Sequence, residues 1–160
     1  MRITKDFREF TAGGGIGKKI VTIFFNPCFH CVCLYRLSNL FYRIHLSLIS
    51  KIIWYLNRML FHTDIDYRAD LAGGFFLVHG LGTVIGKSVV SKGRLKVYHG
   101  VTHGGGNGKP PRLDPDGYYR GQPLFEDNCV VYAGAVVVGG ITIKKNTIIK
   151  ANSIVSASIE

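Results

Sequence analysis

Acidic residues are scarce in this sequence: 10 Asp and Glu stand against 20 Lys and Arg over 160 residues, leaving a formal charge of +10. Such an excess speaks to partners rather than to fold, and it admits nucleic acid, an anionic membrane surface or a phosphate-rich cofactor. The usual nucleic-acid modules are missing, however. There is no recognition-helix signature, RNA-binding strand pair or zinc-finger spacing, so no nucleic-acid partner is expected. Cysteine is also sparse. Cys28, Cys31 and Cys33 fall together and Cys129 stands far away, unlike the spread of a disulfide framework. The apolar run Ile20 to Phe25 follows Lys18 and Lys19 with no small-residue cleavage site after it. A cytoplasmic protein is expected, with the inner face of the membrane as the alternative.

What is present divides the chain into two unlike parts. Hydrophobic residues make up 47% of the chain, enough for a substantial core. Residues 20–61 contain no Gly and a single Pro. Asn26-Pro27 reads as a helix start, with Asn as N-cap and Pro at the first helical position. Beyond it, Leu34, Leu37, Leu40, Phe41, Ile44 and Leu48 recur at helical steps, and Arg36, Arg43, Lys51 and Arg58 form a narrow basic stripe. The stripe argues against a transmembrane helix, which needs about 20 uncharged apolar residues. Two readings remain: a helical unit that packs on a neighbour and keeps its cations wet, or an interfacial helix on an anionic membrane.

From Asp64 onward Gly, Val and Ile dominate. Phe125, Val131, Val137, Ile143, Ile149 and Val155 stand six residues apart without a break. Smaller residues follow each by four, and the turn positions 128, 134, 140, 146 and 152 are Asn or Gly, which tolerate positive φ. A period of six fits neither a helix nor a plain strand. It fits a parallel β-helix whose three flat faces each take one short strand and one turn. A looser stretch precedes it, with Ile85 and Val97 inward, Val89, Leu95 and Val101 in the smaller slot, and Leu71 and Leu77 in an earlier register. The segment 104–123 breaks the period with glycines and prolines and must leave the coil as a loop.

Two further patterns are set aside. Gly13-Gly-Gly-Ile-Gly-Lys18 lacks the first Gly, the Ser or Thr and the preceding strand of a P-loop. Cys28, His30, Cys31 and Cys33 would be scattered by a helix over different faces, and no second ligand pair exists, so no metal is expected.

The stretch Phe76-Leu-Val-His-Gly-Leu-Gly-Thr-Val-Ile-Gly86 resembles the segment of bacterial serine acetyltransferases that carries their catalytic His. His99-Gly-Val-Thr-His-Gly-Gly-Gly-Asn-Gly-Lys109 resembles their Gly-rich segment, and the run Leu34-Tyr-Arg-Leu37 and the junction Thr63-Asp64-Ile65 are similar too. The likeness covers about residues 25–160 and is shared by sugar and exopolysaccharide O-acetyltransferases. It implies a left-handed hand for the β-helix, acetyl-CoA as donor, and trimers or dimers of trimers with the site between subunits. It implies His79 as general base and Asp64, fifteen residues earlier, as its partner. It also implies Gly104, Gly105, Lys109, Ala133 and Lys150 on coenzyme A, and His99, His103, Arg120 and Gln122 toward the acceptor. Arg112 is a further candidate for the coenzyme phosphates.

The chemistry suits these residue types. An alcohol attacks a thioester poorly until a base takes its proton, and imidazole titrates near neutrality. A carboxylate on the far nitrogen would fix the tautomer.

The sequence departs from the family where Val78 replaces an Asp and Arg120-Gly-Gln-Pro123 replaces Arg-His-Pro. The chain also ends at Glu160, before the segment with which such enzymes close the coenzyme site, so a truncated or uncapped coil is expected.

The reading is therefore a helical region over 1–62 followed by a mainly β domain over 63–160, a β-helix of hexapeptide repeats with loop 104–123 extruded. Its activity is acetyl-CoA-dependent O-acetyl transfer. A sugar hydroxyl of a polysaccharide precursor ranks ahead of L-serine, and a non-catalytic trimeric scaffold is the rival. Peripheral membrane association stays open.

Overall fold

The computed structural model describes residues 1–106, 111–113, 117 and 119–159, with the backbone alone at 112, 119 and 120. Four helices come first: α1 (Arg2–Thr11), α2 (Ile16–Phe25), α3 (Pro27–Arg43) and α4 (Ser47–Phe61). The Asn26-Pro27 start forms as its sequence dictates. The Asn26 side chain accepts a hydrogen bond from the Phe29 N–H at 3.0 Å, and Pro27 fills a first-turn position whose N–H would otherwise be orphaned.

From Asp64 the chain winds into a left-handed parallel β-helix. One face stacks Asp64–Ile65, Val84–Ile85, Thr102–Gly104, Val136–Val138 and Ile154–Val155. The second stacks Asp70–Leu71, Val90–Ser91, Leu124–Phe125 and Thr142–Ile143. The third stacks Phe75–Val78, Leu95–Tyr98, Cys129–Val131 and Ile148–Ile149. All three faces pair in parallel, and Leu124–Phe125 registers on Val90–Ser91. The chain thus leaves the coil after Gly104 and rejoins it at Leu124, so the stack is unbroken across the excursion. The backbone at 112–113 and 119–120 forms a short antiparallel pair within it.

The six-residue period is the interior of this prism. Phe125, Val131, Val137 and Ile143 are wholly buried, as are Leu71, Ile85 and Val97. Burying each such side chain contributes about 1.5–3 kcal/mol. The turns carry the expected left-handed residues at Asn128, Gly134, Asn146 and Asn152. At one corner Gly139, rather than Gly140, takes the positive φ.

The helices dock through charge, and here the structure corrects the sequence reading. Arg36, expected to stay wet, is almost buried and donates from Nε to Asp6 at 2.8 Å and to the carbonyls of Leu71 and Ala72. Arg43 pairs with Asp70 at 2.7 Å and Arg58 with Asp64 at 3.3 Å. Three of the four cations in the stripe therefore face the coil, because its outer rim supplies carboxylates and free carbonyls. Lys51 is exposed and is the one of the four without an ion pair among the described residues. Conversely Leu37, Leu40, Ile44 and Leu48 are exposed, and α3 buries Phe29, Val32 and Tyr35 instead.

Candidate active site

His79 sits at the corner between the third and first faces, and that corner is two residues too long. Inward residues step by six almost everywhere, but from Leu77 to Ile85 the step is eight. The extra length bulges outward as His79-Gly80-Leu81-Gly82, with φ of 63°, 64° and 69° at His79, Gly80 and Gly82. On the same edge the coils above need one left-handed residue each, at Gly100, Gly134 and Asn152. A His at positive φ is uncommon and persists only where its surroundings impose it.

Here they do. The Leu81 N–H donates to the His79 carbonyl at 2.8 Å, and the Gly82 N–H to the His62 carbonyl at 2.9 Å. The buried Thr63 hydroxyl donates to the Gly80 carbonyl at 3.0 Å. A Cβ on Gly80, at a φ of 64°, would stand 2.8 Å from Cδ2 of the buried Leu77, so a larger residue there must displace that side chain.

The corner presents the His79 ring to solvent. One coil up, the exposed His99 ring meets it edge-on at 5.9 Å between centroids. Strand register continues the column. Val78 pairs with Tyr98, Tyr98 stacks on Tyr132 at 4.8 Å, and the Asn152 N–H donates to the Ala133 carbonyl at 2.9 Å. Lys150 stands exposed beside Ala151 at the top of this edge. The fold thus brings His79, His99, Ala133 and Lys150 onto one edge.

Asp64 begins the first strand of the adjoining face, with its side chain turned outward and partly exposed. Its Oδ1 accepts from Trp54 Nε1 at 2.9 Å, and Oδ2 lies 3.3 Å from Arg58 Nη1. Among the described residues no hydrogen bond joins Asp64 to the His79 ring, so the expected pair is not made in this chain. The helix α4 holds the carboxylate instead. Trp54 and Arg58 carried no signal in the sequence beyond helical spacing, since what places them is the way α4 lies on the first face.

The remaining candidates lie elsewhere. Gly104 ends its strand at the far side of the first face, where its carbonyl accepts from the Gly139 N–H at 3.0 Å, and Gly105 follows it. Gln122 sits at the next corner and its Oε1 accepts from the Ser88 N–H at 2.8 Å, so it caps a turn there. Lys109 and the side chains of Arg112 and Arg120 lie outside the described residues.

His103, expected to face the acceptor, points into the prism. It is wholly buried, its ring lies 4.6 Å from Phe125, and neither ring nitrogen has a hydrogen-bond partner among the described residues. The cause is register: His103 is six residues beyond Val97 and takes the inward slot. Burial pulls its pKa from 6.5 down to about 3. The folded state therefore keeps His103 neutral while the unfolded chain protonates it below its ordinary value. Stability is full above that value and falls as pH drops toward the folded one, by about 1.4 kcal/mol per unit. His103→Leu is expected to raise the melting temperature and flatten its decline between pH 6.5 and about 3, as followed by circular dichroism.

Beneath the His79 corner lies a cavity of about 580 Å³, walled by α2, α3 and the end of α4, with Phe25, Cys28, Leu60, Val78, His79 and Leu81 on its lining. Burial pushes the Cys28 thiol above its ordinary value, against a hydrogen bond with the His79 backbone that lowers it. Cys31 behind it is raised to about 12. Burial thus keeps both thiols in the protonated form, which is the weaker nucleophile.

No family model matches the chain. Curated relatives do. A serine acetyltransferase of Synechococcus elongatus is 34% identical over 129 residues, which are 81% of this chain and 50% of that protein. A serine acetyltransferase of Helicobacter pylori is 30% identical over 131 residues, covering 81% of this chain and 71% of the relative. Against the first relatives the chain spans about half their length. Among solved structures, a serine acetyltransferase of Brucella abortus in complex with coenzyme A superposes with a TM-score of 0.83 at 23% identity, over 98% of this chain and 60% of that one. A similarity that runs through the helices, the His79 corner and the hexad coil alike places this chain in the serine acetyltransferase family.

Proposed function

We propose that the chain is an O-acetyltransferase that moves an acetyl group from acetyl-CoA to the hydroxyl of L-serine, with His79 as general base. The observation that carries this is the solvent-facing His79 on a forced, overlong corner at the foot of an otherwise regular edge. The acceptor hydroxyl gives its proton to an imidazole nitrogen as its oxygen attacks the thioester carbonyl carbon. The tetrahedral oxyanion then collapses, the C–S bond breaks, and the imidazolium returns the proton to the departing thiolate. Asp64, held ready by Trp54 and Arg58, would supply the negative charge that favours the imidazolium. Ala133 and Lys150, higher on the edge, would receive the coenzyme, with Lys150 as a point charge for its phosphates.

The residues assigned to donor and acceptor occupy two edges of the first face: His79, His99, Ala133 and Lys150 on one, Gly104, Gly105 and the returning loop on the other. One coil cannot fold these edges onto each other. Three copies side by side would bring the edge of one against the loop of the next, which supports the trimer.

Serine replaces the sugar acceptor expected from the sequence. The curated relatives bear the serine name, and none of those named above points to polysaccharide. Gln122, expected toward the acceptor, has its side-chain carbonyl occupied by the Ser88 N–H. Following acetyl-CoA consumption with L-serine and with amino- and deoxy-sugars separates the two, and turnover of a sugar faster than serine overturns the assignment. A rise in melting temperature with coenzyme A is expected as well, because a ligand bound to the folded state alone stabilises it. No shift at millimolar coenzyme would favour the scaffold.

A further inference from the structure

The helical hairpin is polar inside and apolar outside. Where α3 and α4 meet, Ser38 donates to the Ser50 carbonyl at 2.7 Å, the Ser50 hydroxyl donates back to the Ser38 carbonyl, and Asn57 donates to the Cys31 carbonyl at 3.1 Å. All three of those side chains are buried. On the opposite side of α4, Leu48, Ile52, Tyr55, Leu56 and Met59 repeat at steps of one, three and four, and each is more than two-fifths exposed. A water-facing helix puts its apolar stripe toward the core. Small polar residues between helices with apolar residues outward is the arrangement suited to lipid. In α2 only Thr22 is buried, while Ile20 and Phe24 stand out. Phe25 of α2 and Leu60 of α4 line one cavity.

Charge names the occupant. No Asp or Glu occurs between Glu9 and Asp64. The arginines of this region pair with Asp6, Asp70 and Asp64, and Lys18 donates from Nζ to the Ala12 carbonyl at 2.6 Å, so the cations left facing out with the apolar residues are Lys19 and Lys51. Lys51 lies one helical turn from both Leu48 and Tyr55. A second copy of this face would set lysine against lysine with no carboxylate to meet either. An anionic headgroup layer supplies the missing charge, and lysine stems snorkel to it while the apolar residues enter the acyl boundary. No single helix among the described residues is long and apolar enough to cross a membrane, and α2 and α3 reach that length only as a pair bent by 64°.

We propose that the outer face of α2 and α4 docks this chain on an anionic lipid bilayer. The inference does not depend on which hydroxyl is acetylated.

Cosedimentation of the full chain with vesicles tests it, using phosphatidylcholine alone and phosphatidylcholine with phosphatidylglycerol. Binding to the anionic vesicles is expected, weakened by added salt. The triple variant Phe24→Asp/Leu56→Asp/Met59→Asp should lower the bound fraction about tenfold or more. Lys19→Glu/Lys51→Glu should weaken binding to anionic vesicles alone. Circular dichroism melting shows that each variant is folded, and the lysine variant, which touches no packed side chain, carries the test should the apolar one unfold. The proposal fails if the parent binds neither vesicle, or if both folded variants bind as the parent does. It fails equally if vesicles are ignored and the apolar variant halves the molar mass by light scattering, which would assign the face to another copy.

Discussion

Replacing His79 with Ala should slow acetyl transfer by about 10²–10⁴-fold, the usual contribution of a positioned base. The ring is solvent-facing and closes no packing gap, so unfolding should shift little beyond the strain of holding Ala at a φ of 63°. His79→Asn separates the two effects. Asn accepts left-handed backbone readily but cannot act as a base of suitable pKa, so it should restore the melting temperature and not the rate. Initial rates with acetyl-CoA and L-serine, beside a melt of each variant, read both quantities. Transfer by either variant at the parental rate would remove His79 from the mechanism. A similar loss in both variants with both still folded is the expected result. Asp64→Asn should lower the rate less than His79→Ala, since Asp64 acts through the charge it brings to the imidazolium.

The largest effect on stability is expected at Asp6. This carboxylate is fully buried and accepts four hydrogen bonds, two from Arg36 at 2.8 and 3.1 Å and one each from the Gly74 and Phe75 N–H groups at 2.8 and 2.9 Å. It ties α1, α3 and a corner of the coil together. Asp6→Ala leaves a guanidinium almost buried without its counter-charge and orphans two backbone donors, a loss of about 3–5 kcal/mol. Chemical denaturation of the variant should show it as a lower midpoint. Removing both partners, as in Asp6→Leu/Arg36→Met, should cost less than Asp6→Ala, because no unpaired charge remains. Equal losses would mean that the contribution comes from packing around Phe10, which meets Phe76 edge-on at 4.7 Å, rather than from the ion pair.

Much of the architecture was readable from one periodicity. Phe125 through Ile149 at six-residue steps required a three-sided prism, and each of those residues lies inside it. The Asn26-Pro27 start needed only local chemistry, an acceptor for an orphan N–H and a ring with the right φ. The site was legible only in part. His79 stands out by its resemblance to a family segment, and the reason it projects is the eight-residue step from Leu77 to Ile85, a break in period that the sequence itself carries. His103 was misassigned because its Gly-rich neighbours suggested a loop, whereas counting six from Val97 puts it indoors. Gln122, expected toward the acceptor, is brought beside Ser88 across a 34-residue separation that no local pattern announces.

The order of inward residues along the coil, the helix starts and the turn positions follow from the sequence alone, because each depends on interactions among residues near one another or at a fixed repeat. Tertiary structure alone decided which way the helices face. A leucine stripe and an arginine stripe on one helix can each turn to the core. The choice fell to Asp6 of α1 and to the rim of the coil, whose Asp70, Asp64 and open carbonyls satisfy guanidinium groups better than water-exposed leucines are penalised. Those partners lie many residues away, so no local pattern could reveal them.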